Sequence, residues 1–361
     1  GFKLWSDVTE SDLLADVNVN TLEFKGFVKP LELIKGKHTG KMYSVQSKDC
    51  DFRTTSDHTM ISLGNRGIET IQPFVLSEPA VGINLPSDKT KGEQEHKLPT
   101  AVITEYYSED AQDFYLGQLW GFYLGDGFRI DHTIGFHLKK ERKIKFITQV
   151  LSKLELNYSL NKNLDNTVSI RVFICDTVID LLNTFSFGTK GKLLPLKPFL
   201  GLSQQNKLQG LFEGLKNSDG SLKRKTWVFC TTNENIKQGI LNLAPLAGLT
   251  VGSVGYSKGC SRIFFNTTNK VRINDSRRPE TKVEITEVVN ESVWCATMPS
   301  GALITRRNGK VLITGNSSPL EHQAYAIKKK KEQSRNLIGF KQYREVYESD
   351  EFGKTIEEPK I

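Results

Sequence analysis

The period of hydrophobic and polar positions changes several times along this chain. Over residues 1–100, apolar positions alternate with polar ones in short runs such as Met42-Tyr43-Ser44-Val45, and turn residues separate the runs. A period of two predicts strands. Residues 105–275 mix helical and strand periods. Phe114 to Gly125 is apolar almost throughout and predicts a buried helix; Lys143 to Leu154 is amphipathic at helical spacing; Val178 to Leu182 predicts a short helix. Residues 276–316 return to strands. One run contains Val283, Ile285 and Val288, and Val311-Leu312-Ile313 follows Asn308-Gly309, a two-residue hairpin signal. Residues 317–361 are highly charged, with Lys328 to Lys331 in one block that reads as a solvated run. This order predicts a mostly β element split by an α+β insert, with a short helical tail behind it.

Composition narrows the classes. A length of 361 residues predicts two or three domains, and 38% hydrophobic residues is enough for packed cores. The net charge of +8 suits a polyanionic partner, nucleic acid being the commonest. The five cysteines, Cys50, Cys175, Cys230, Cys260 and Cys295, are odd in number and form no CxxC pair. That argues against a disulfide framework or a zinc site and for a reducing, cytoplasmic compartment. No apolar run approaches a membrane span and no signal peptide is present. The chain begins at Gly1 and reads as a fragment or processed product.

One pattern recurs. Leu119-Trp120-Gly121-Phe122-Tyr123-Leu124-Gly125-Asp126-Gly127 is matched by Phe212-Glu213-Gly214-Leu215-Lys216-Asn217-Ser218-Asp219-Gly220. Gly121 and Gly125, like Gly214 and Ser218, leave one helix face nearly bare, so two helices can approach closely. Each copy ends in Asp-Gly, where the glycine is expected to cap the helix with positive φ. A carboxylate at a helix C-terminus faces the negative end of the macrodipole, and packing the helices together would add repulsion between Asp126 and Asp219. Divalent cations between them would reconcile both, and two carboxylates holding Mg²⁺ against a phosphodiester suit metal-assisted hydrolysis.

These paired segments resemble the motifs of LAGLIDADG homing endonucleases over residues 105–275, and Gly191-Lys192-Leu193-Leu194-Pro195 resembles the family's Lys-x-x-Pro element. The resemblance implies a pseudo-two-fold αββαββα fold whose β-ribbons lie in the DNA major groove, and double-stranded DNA as partner. It makes Lys192 either a residue that polarises the scissile phosphate or positions water, or an ordinary surface lysine. The second copy departs from the pattern at Glu213, Lys216 and Asn217.

The flanks carry a second constellation. Thr55-Ser56-Asp57-His58 resembles the Thr-x-x-His block of intein splicing domains, which share the Hint fold, a mostly β horseshoe. It implies that Thr55 and His58 act on an upstream scissile amide, with the imidazole as general acid. Val293 to Pro299 and Arg306 to Ser317 resemble the end of an intein. There Thr314 precedes Gly315-Asn316-Ser317; the Asn316 side chain would attack its own carbonyl, and the Ser317 hydroxyl would accept the upstream segment. Gly315 stands where a histidine is usual. Cys295 is either an acyl acceptor or a buried apolar cysteine. The resemblance places the first nucleophile and the N-extein upstream of Gly1; if Gly1 is the native start, it makes Cys295 the first nucleophile instead. It divides the chain into a Hint part at 1–100, an endonuclease at 105–275, the rest of the Hint part at 276–316 and a C-extein at 317–361. Ser318-Pro319-Leu320-Glu321-His322 and Gly339 to Arg344 resemble phage flavin-dependent thymidylate synthase. That implies FAD for the host enzyme, with His322 near the flavin and Arg344 near a phosphate. A competing assignment is a freestanding DNA-binding or maturase-like protein without splicing, for which Asn316-Ser317 and Thr55/His58 have no use.

Overall fold

Strand pairing ties the two ends of the chain together. The computed structural model describes residues 1–316 except 65–66, 78–95, 105–107, 110, 188–190, 202–203, 224–225, 267 and 276–277. Among the described residues the strands that come first are β1 (Leu14–Asn18), β2 (Phe24–Val28), β3 (Glu32–Gln46), β4 (Asp51–Thr55), β5 (Met60–Gly64), β6 (Gly67–Ile71) and β7 (His96–Pro99). The insert follows: α1 (Gln112–Asp126), β8 (Gly127–Ile130), β9 (Thr133–Leu138), α2 (Glu141–Lys153), β10 (Tyr158–Lys162), β11 (Val168–Val172) and α3 (Asp176–Phe185). The short β12 (Ser186–Phe187) and β13 (Gly191–Lys192) lead to α4 (Gln205–Asn217), β14 (Gly220–Lys223), β15 (Thr226–Thr231), α5 (Glu234–Leu243), β16 (Thr250–Ser257) and β17 (Cys260–Asn266). The chain returns through β18 (Lys270–Ile273), β19 (Glu284–Thr297), β20 (Gly301–Arg307) and β21 (Lys310–Gly315).

The outer strands form sheets ordered β2-β1-β20-β21, β19-β3-β4, β18-β7 and β5-β6, so three of the four combine strands from both sides of the insert. The longest seam pairs β19 with β3 from Glu284 opposite Ser44 to Thr297 opposite Glu32. Its core is shared too: Val45, Phe52, Met60, Leu76 and Leu98 pack with Val271, Ile273 and Leu312. Burying the apolar side chains that both flanks contribute to this core drives them together. The crossing point is narrow, with the Thr100 N–H donating to the Asn269 carbonyl at 2.8 Å. Because β18 pairs with β7, the chain re-enters the β sheets at Lys270, ahead of the 276 read from the sequence. The four-residue Lys-Val-Arg-Ile alternation is too short to announce itself.

Within the insert, one connectivity occurs twice. The run helix, two strands, helix, two strands appears in both halves, and the sheets are ordered β8-β9-β11-β10 and β14-β15-β17-β16. Alternation explains which face of each sheet is buried. Ile134, Phe136 and Leu138 of β9, with Val168, Ile170 and Val172 of β11, pack inward, while His137 and Arg171 are exposed. Ile263 and Phe265 of β17 do the same in the second half. Fully burying one such side chain contributes roughly 1.5–3 kcal/mol. The helices expected around residues 114–125, 143–154 and 178–182 are α1, α2 and α3. The Asn308-Gly309 hairpin is present, with Arg307 opposite Lys310 and φ of 45° and 79° at the turn, as a type I′ turn requires.

The two motif helices, α1 and α4, touch backbone to backbone. A Cβ on Gly117 or Gly121 would overlap the carbonyl oxygen of Lys207 or Leu211, and one on Gly210 or Gly214 would overlap that of Phe114 or Gln118. Only hydrogen fits at these positions. Gly127 departs from expectation: its φ is −77°, extended rather than left-handed. It is required because the chain turns straight from helix into strand, and a Cβ there would collide with Tyr123.

Candidate functional site

Close packing of α1 on α4 brings the two Asp-Gly ends together. Asp126 is the last residue of α1, and Asp219 follows the end of α4 just before β14. Between them reaches Lys143, from the first turn of α2. Its ammonium donates to both Asp126 carboxylate oxygens, at 2.7 and 2.6 Å, and to Asp219 Oδ1 at 3.5 Å. The Lys143 side chain is 11% exposed and that of Asp126 18%, while Asp219 is more open at 43%.

Helix C-termini carry partial negative charge, so two carboxylates there need compensation. Among the described residues three cations supply it. Besides Lys143, Arg142 donates to the Asn217 carbonyl at the end of α4, at 2.9 Å. Lys192 donates to the carbonyls of Tyr123 and Leu124 in the last turn of α1, at 2.8 and 3.2 Å, and lies over the Tyr123 ring. Burial pushes the Asp126 carboxyl above its ordinary range; the Lys143 bond pulls against this, and the Asp219 charge raises it further. Burial also brings the Lys192 ammonium down to about 8, against the opposing pull of Asp219 and Asp126.

Beside Asp219 lies a cavity of about 430 Å³ whose wall includes Gly125, Lys192, Cys230, Thr231, Asn233 and Ile236. Asn233 builds its far side, capping α5 through Ile236 N at 3.2 Å and donating to the Lys192 carbonyl at 2.8 Å. The pair of aspartates suits a cation, because an ammonium of the chain itself already contacts both carboxylates. Among the described residues no group of three or more histidine, cysteine or carboxylate side chains could hold a metal, so backbone carbonyls, water and substrate phosphate would complete any shell.

A second grouping lies in the β sheets. His58 Nε2 is 2.5 Å from Thr314 Oγ1, and Thr314 in turn donates to the Thr59 carbonyl at 3.2 Å. Gly315 N–H donates to that same carbonyl at 3.0 Å. Asn316 is buried, and its side-chain amide is held on both sides by one residue: Oδ1 accepts from Met298 N–H at 2.9 Å and Nδ2 donates to the Met298 carbonyl at 3.0 Å. Thr55 ends β4 opposite Met42, and its carbonyl accepts the His58 N–H at 3.4 Å. Cys295 is buried on β19, the strand that runs into Met298, and its thiol donates to the Ala296 carbonyl at 3.8 Å. The structure therefore brings His58 to Thr314 and locks Asn316 in place. Ser317, His322 and Arg344 lie outside the described residues.

Two residues escaped the sequence reading. Met298 acts through its backbone and leaves no side-chain signal. Lys143 did leave one: it occupies a buried position of α2 together with Ile147, Val150 and Leu151, where an apolar residue is expected.

Among the described residues, no helix is long and apolar enough to cross a membrane. No protein-family model and no curated protein matches the chain. Solved structures similar to it include the N-terminal LAGLIDADG domain of DUF199/WhiA, at 12% identity and a TM-score of 0.32, over 44% of this chain and 77% of that one. The homing endonuclease I-DmoI in complex with DNA and Mn is similar at 12% identity and a TM-score of 0.33, over 43% of this chain and 91% of that one.

Proposed function

We propose that the insert is a metal-dependent DNA endonuclease and that the surrounding β sheets are a Hint-like self-splicing unit acting at the Asn316-Ser317 junction. One observation carries the first part: glycine-faced packing of α1 on α4 sets Asp126 and Asp219 within reach of a single ammonium. Two carboxylates so close, at two helix ends, are costly unless the site handles positive charge. A divalent cation held by Asp126 and Asp219 would supply Lewis-acid stabilisation of charge on a phosphate. The chain's own residues do the rest. Lys192 presents a half-buried ammonium at the edge of the cavity, suited to a phosphate oxygen or a water. The repeated helix-strand-strand connectivity is consistent with a pseudo-two-fold fold, each half serving mainly one strand of duplex DNA. His137 and Arg171 of the first sheet and Tyr256 of the second are exposed where a duplex could lie.

The splicing part is supported by the grouping of His58, Thr314 and Asn316 from opposite ends of the chain. Two hydrogen bonds to the Met298 backbone hold the Asn316 side-chain amide in one orientation, and such a fixed amide supports a role at the junction. Ser317, on the reading from the sequence, accepts the upstream segment, and Cys295 is the candidate for an earlier acceptor. The tail, with His322 and Arg344 toward FAD in a flavin-dependent thymidylate synthase, remains a proposal from the sequence.

A supercoiled plasmid carrying the host gene with the entire intein sequence removed, β sheets and insert together, tests the nuclease. The intact protein is expected to nick or cut it with Mg²⁺ and not with chelator. Asp126→Asn and Asp219→Asn should each abolish cutting while leaving DNA binding in place. Binding without cutting at every Mg²⁺ concentration would refute the nuclease.

A further inference from the structure

We propose that Lys143 competes with a divalent cation for the position between Asp126 and Asp219, so that the site loads metal only when this side chain withdraws. The inference rests on the reading of these aspartates as a metal centre. Both Asp126 oxygens are already taken by the Lys143 ammonium, and Asp219 Oδ1 is its third contact. Mg²⁺ would need the same oxygens at roughly 2.0–2.1 Å, which would set two positive centres against each other in a largely buried site. Ammonium and metal therefore exclude one another.

The repeat shows that this lysine is not demanded by the fold. Buried on α2 are Lys143, Ile147, Val150 and Leu151, and on α5, its counterpart in the second half, Ile236, Gly239, Ile240 and Leu243; Ile236 follows Asp219 at the same distance along the chain as Lys143 follows Asp126, and Ile240 and Leu243 then match Ile147 and Val150. The residue matching Lys143 is thus Ile236, which lines the open cavity beside Asp219 and Lys192. One half has an apolar wall and a cavity at this place, and the other has a lysine bonded to the carboxylates. An aliphatic residue is sufficient to pack the helix, so the charge at 143 is there for the aspartates. Among the described residues two other cations bond to these helix ends, and neither is used this way: Arg142 is bonded to the Asn217 carbonyl, and Lys192 to the carbonyls of Tyr123 and Leu124.

Calorimetric titration of the full chain with Mn²⁺ tests this. Lys143→Met keeps the apolar stem and removes the charge, and it should bind Mn²⁺ about tenfold more tightly or better, because a charge-assisted hydrogen bond no longer has to be broken. Adding Asp126→Asn to that variant should abolish the gain, which assigns it to this site. Thermal melting gives a second readout: Lys143→Met should melt lower than the intact protein without metal and regain stability with Mn²⁺. Lys143→Gln, still able to donate one hydrogen bond, should fall between the two. Equal affinity in the intact protein and both variants, lost with Asp126→Asn, would leave the metal centre standing and remove the role of Lys143. No Mn²⁺ binding in any of them would remove the metal centre itself, and the proposal with it.

Discussion

Gly214→Ala tests the close approach on which the aspartate pair depends. A Cβ at this position would overlap the Gln118 carbonyl oxygen and lie 2.8 Å from Phe122 N and 3.0 Å from Gln118 C. All three atoms are backbone of α1, so no rotamer change relieves the clash. The helices must separate by about 1 Å, and a gap of that size forfeits a quarter to a half of each dispersion contact across it. Overpacking of this kind costs about 1–3 kcal/mol, and a rigid backbone obstacle belongs at the upper end. Alanine recovers roughly 0.8–1 kcal/mol through helix propensity. The net expectation is a loss of about 2 kcal/mol, or about 4–8 °C in melting temperature for a domain the size of the insert. Trp120, buried on α1 beside this contact, is the local probe, and its fluorescence across a denaturant titration gives the midpoint. Gly36→Ala is the control: a Cβ there meets nothing within 4 Å, and its effect should stay within about 0.5 kcal/mol. Separation should also draw Asp126 and Asp219 apart, weakening Mn²⁺ binding together with stability. If Gly214→Ala melts with the intact protein, the helices are not held at this distance by absent side chains, and the account of the site loses its basis.

Other outcomes follow from the same contacts. Lys192 is held at about 8 in the folded protein against 10.5 for the free side chain, so as pH falls the unfolded chain takes up this proton first. The intact protein should therefore lose stability relative to Lys192→Met between pH 10.5 and about 8 and lose no more below that; paired denaturant midpoints that track one another through this window would contradict burial of the ammonium. Asn316→Ala should abolish cleavage after residue 316, and a free tail from Ser317 in its mass spectrum would refute cyclisation. With the upstream residues restored, His58→Ala should block thiol-induced upstream cleavage, while circular dichroism stays unchanged; continued cleavage would reduce the His58–Thr314 contact to a structural one.

The sequence alone determined the local elements and the repeat. The two-residue period of the flanks, the apolar run of α1, the second Asp-Gly helix end and the Asn308-Gly309 turn are encoded within a few neighbouring residues. Steric and solvation preferences act at that range, so pattern reading reaches them. Tertiary structure decided the rest. Nothing local says that β19 lies along β3 or that β18 closes on β7, because those registers are set by burying flanks that lie far apart in the chain. His58 meets Thr314 across 256 positions for the same reason. The glycine that ends each motif is expected to cap its helix with positive φ, yet Gly127 has ordinary φ and is required by a collision only the folded chain presents. Lys143 looked like one more polar residue on an amphipathic helix. Only the docking of α2 onto two helix ends shows that a charge stands at a core position, because its carboxylate partners come from two other helices that converge only once α1 and α4 have packed together.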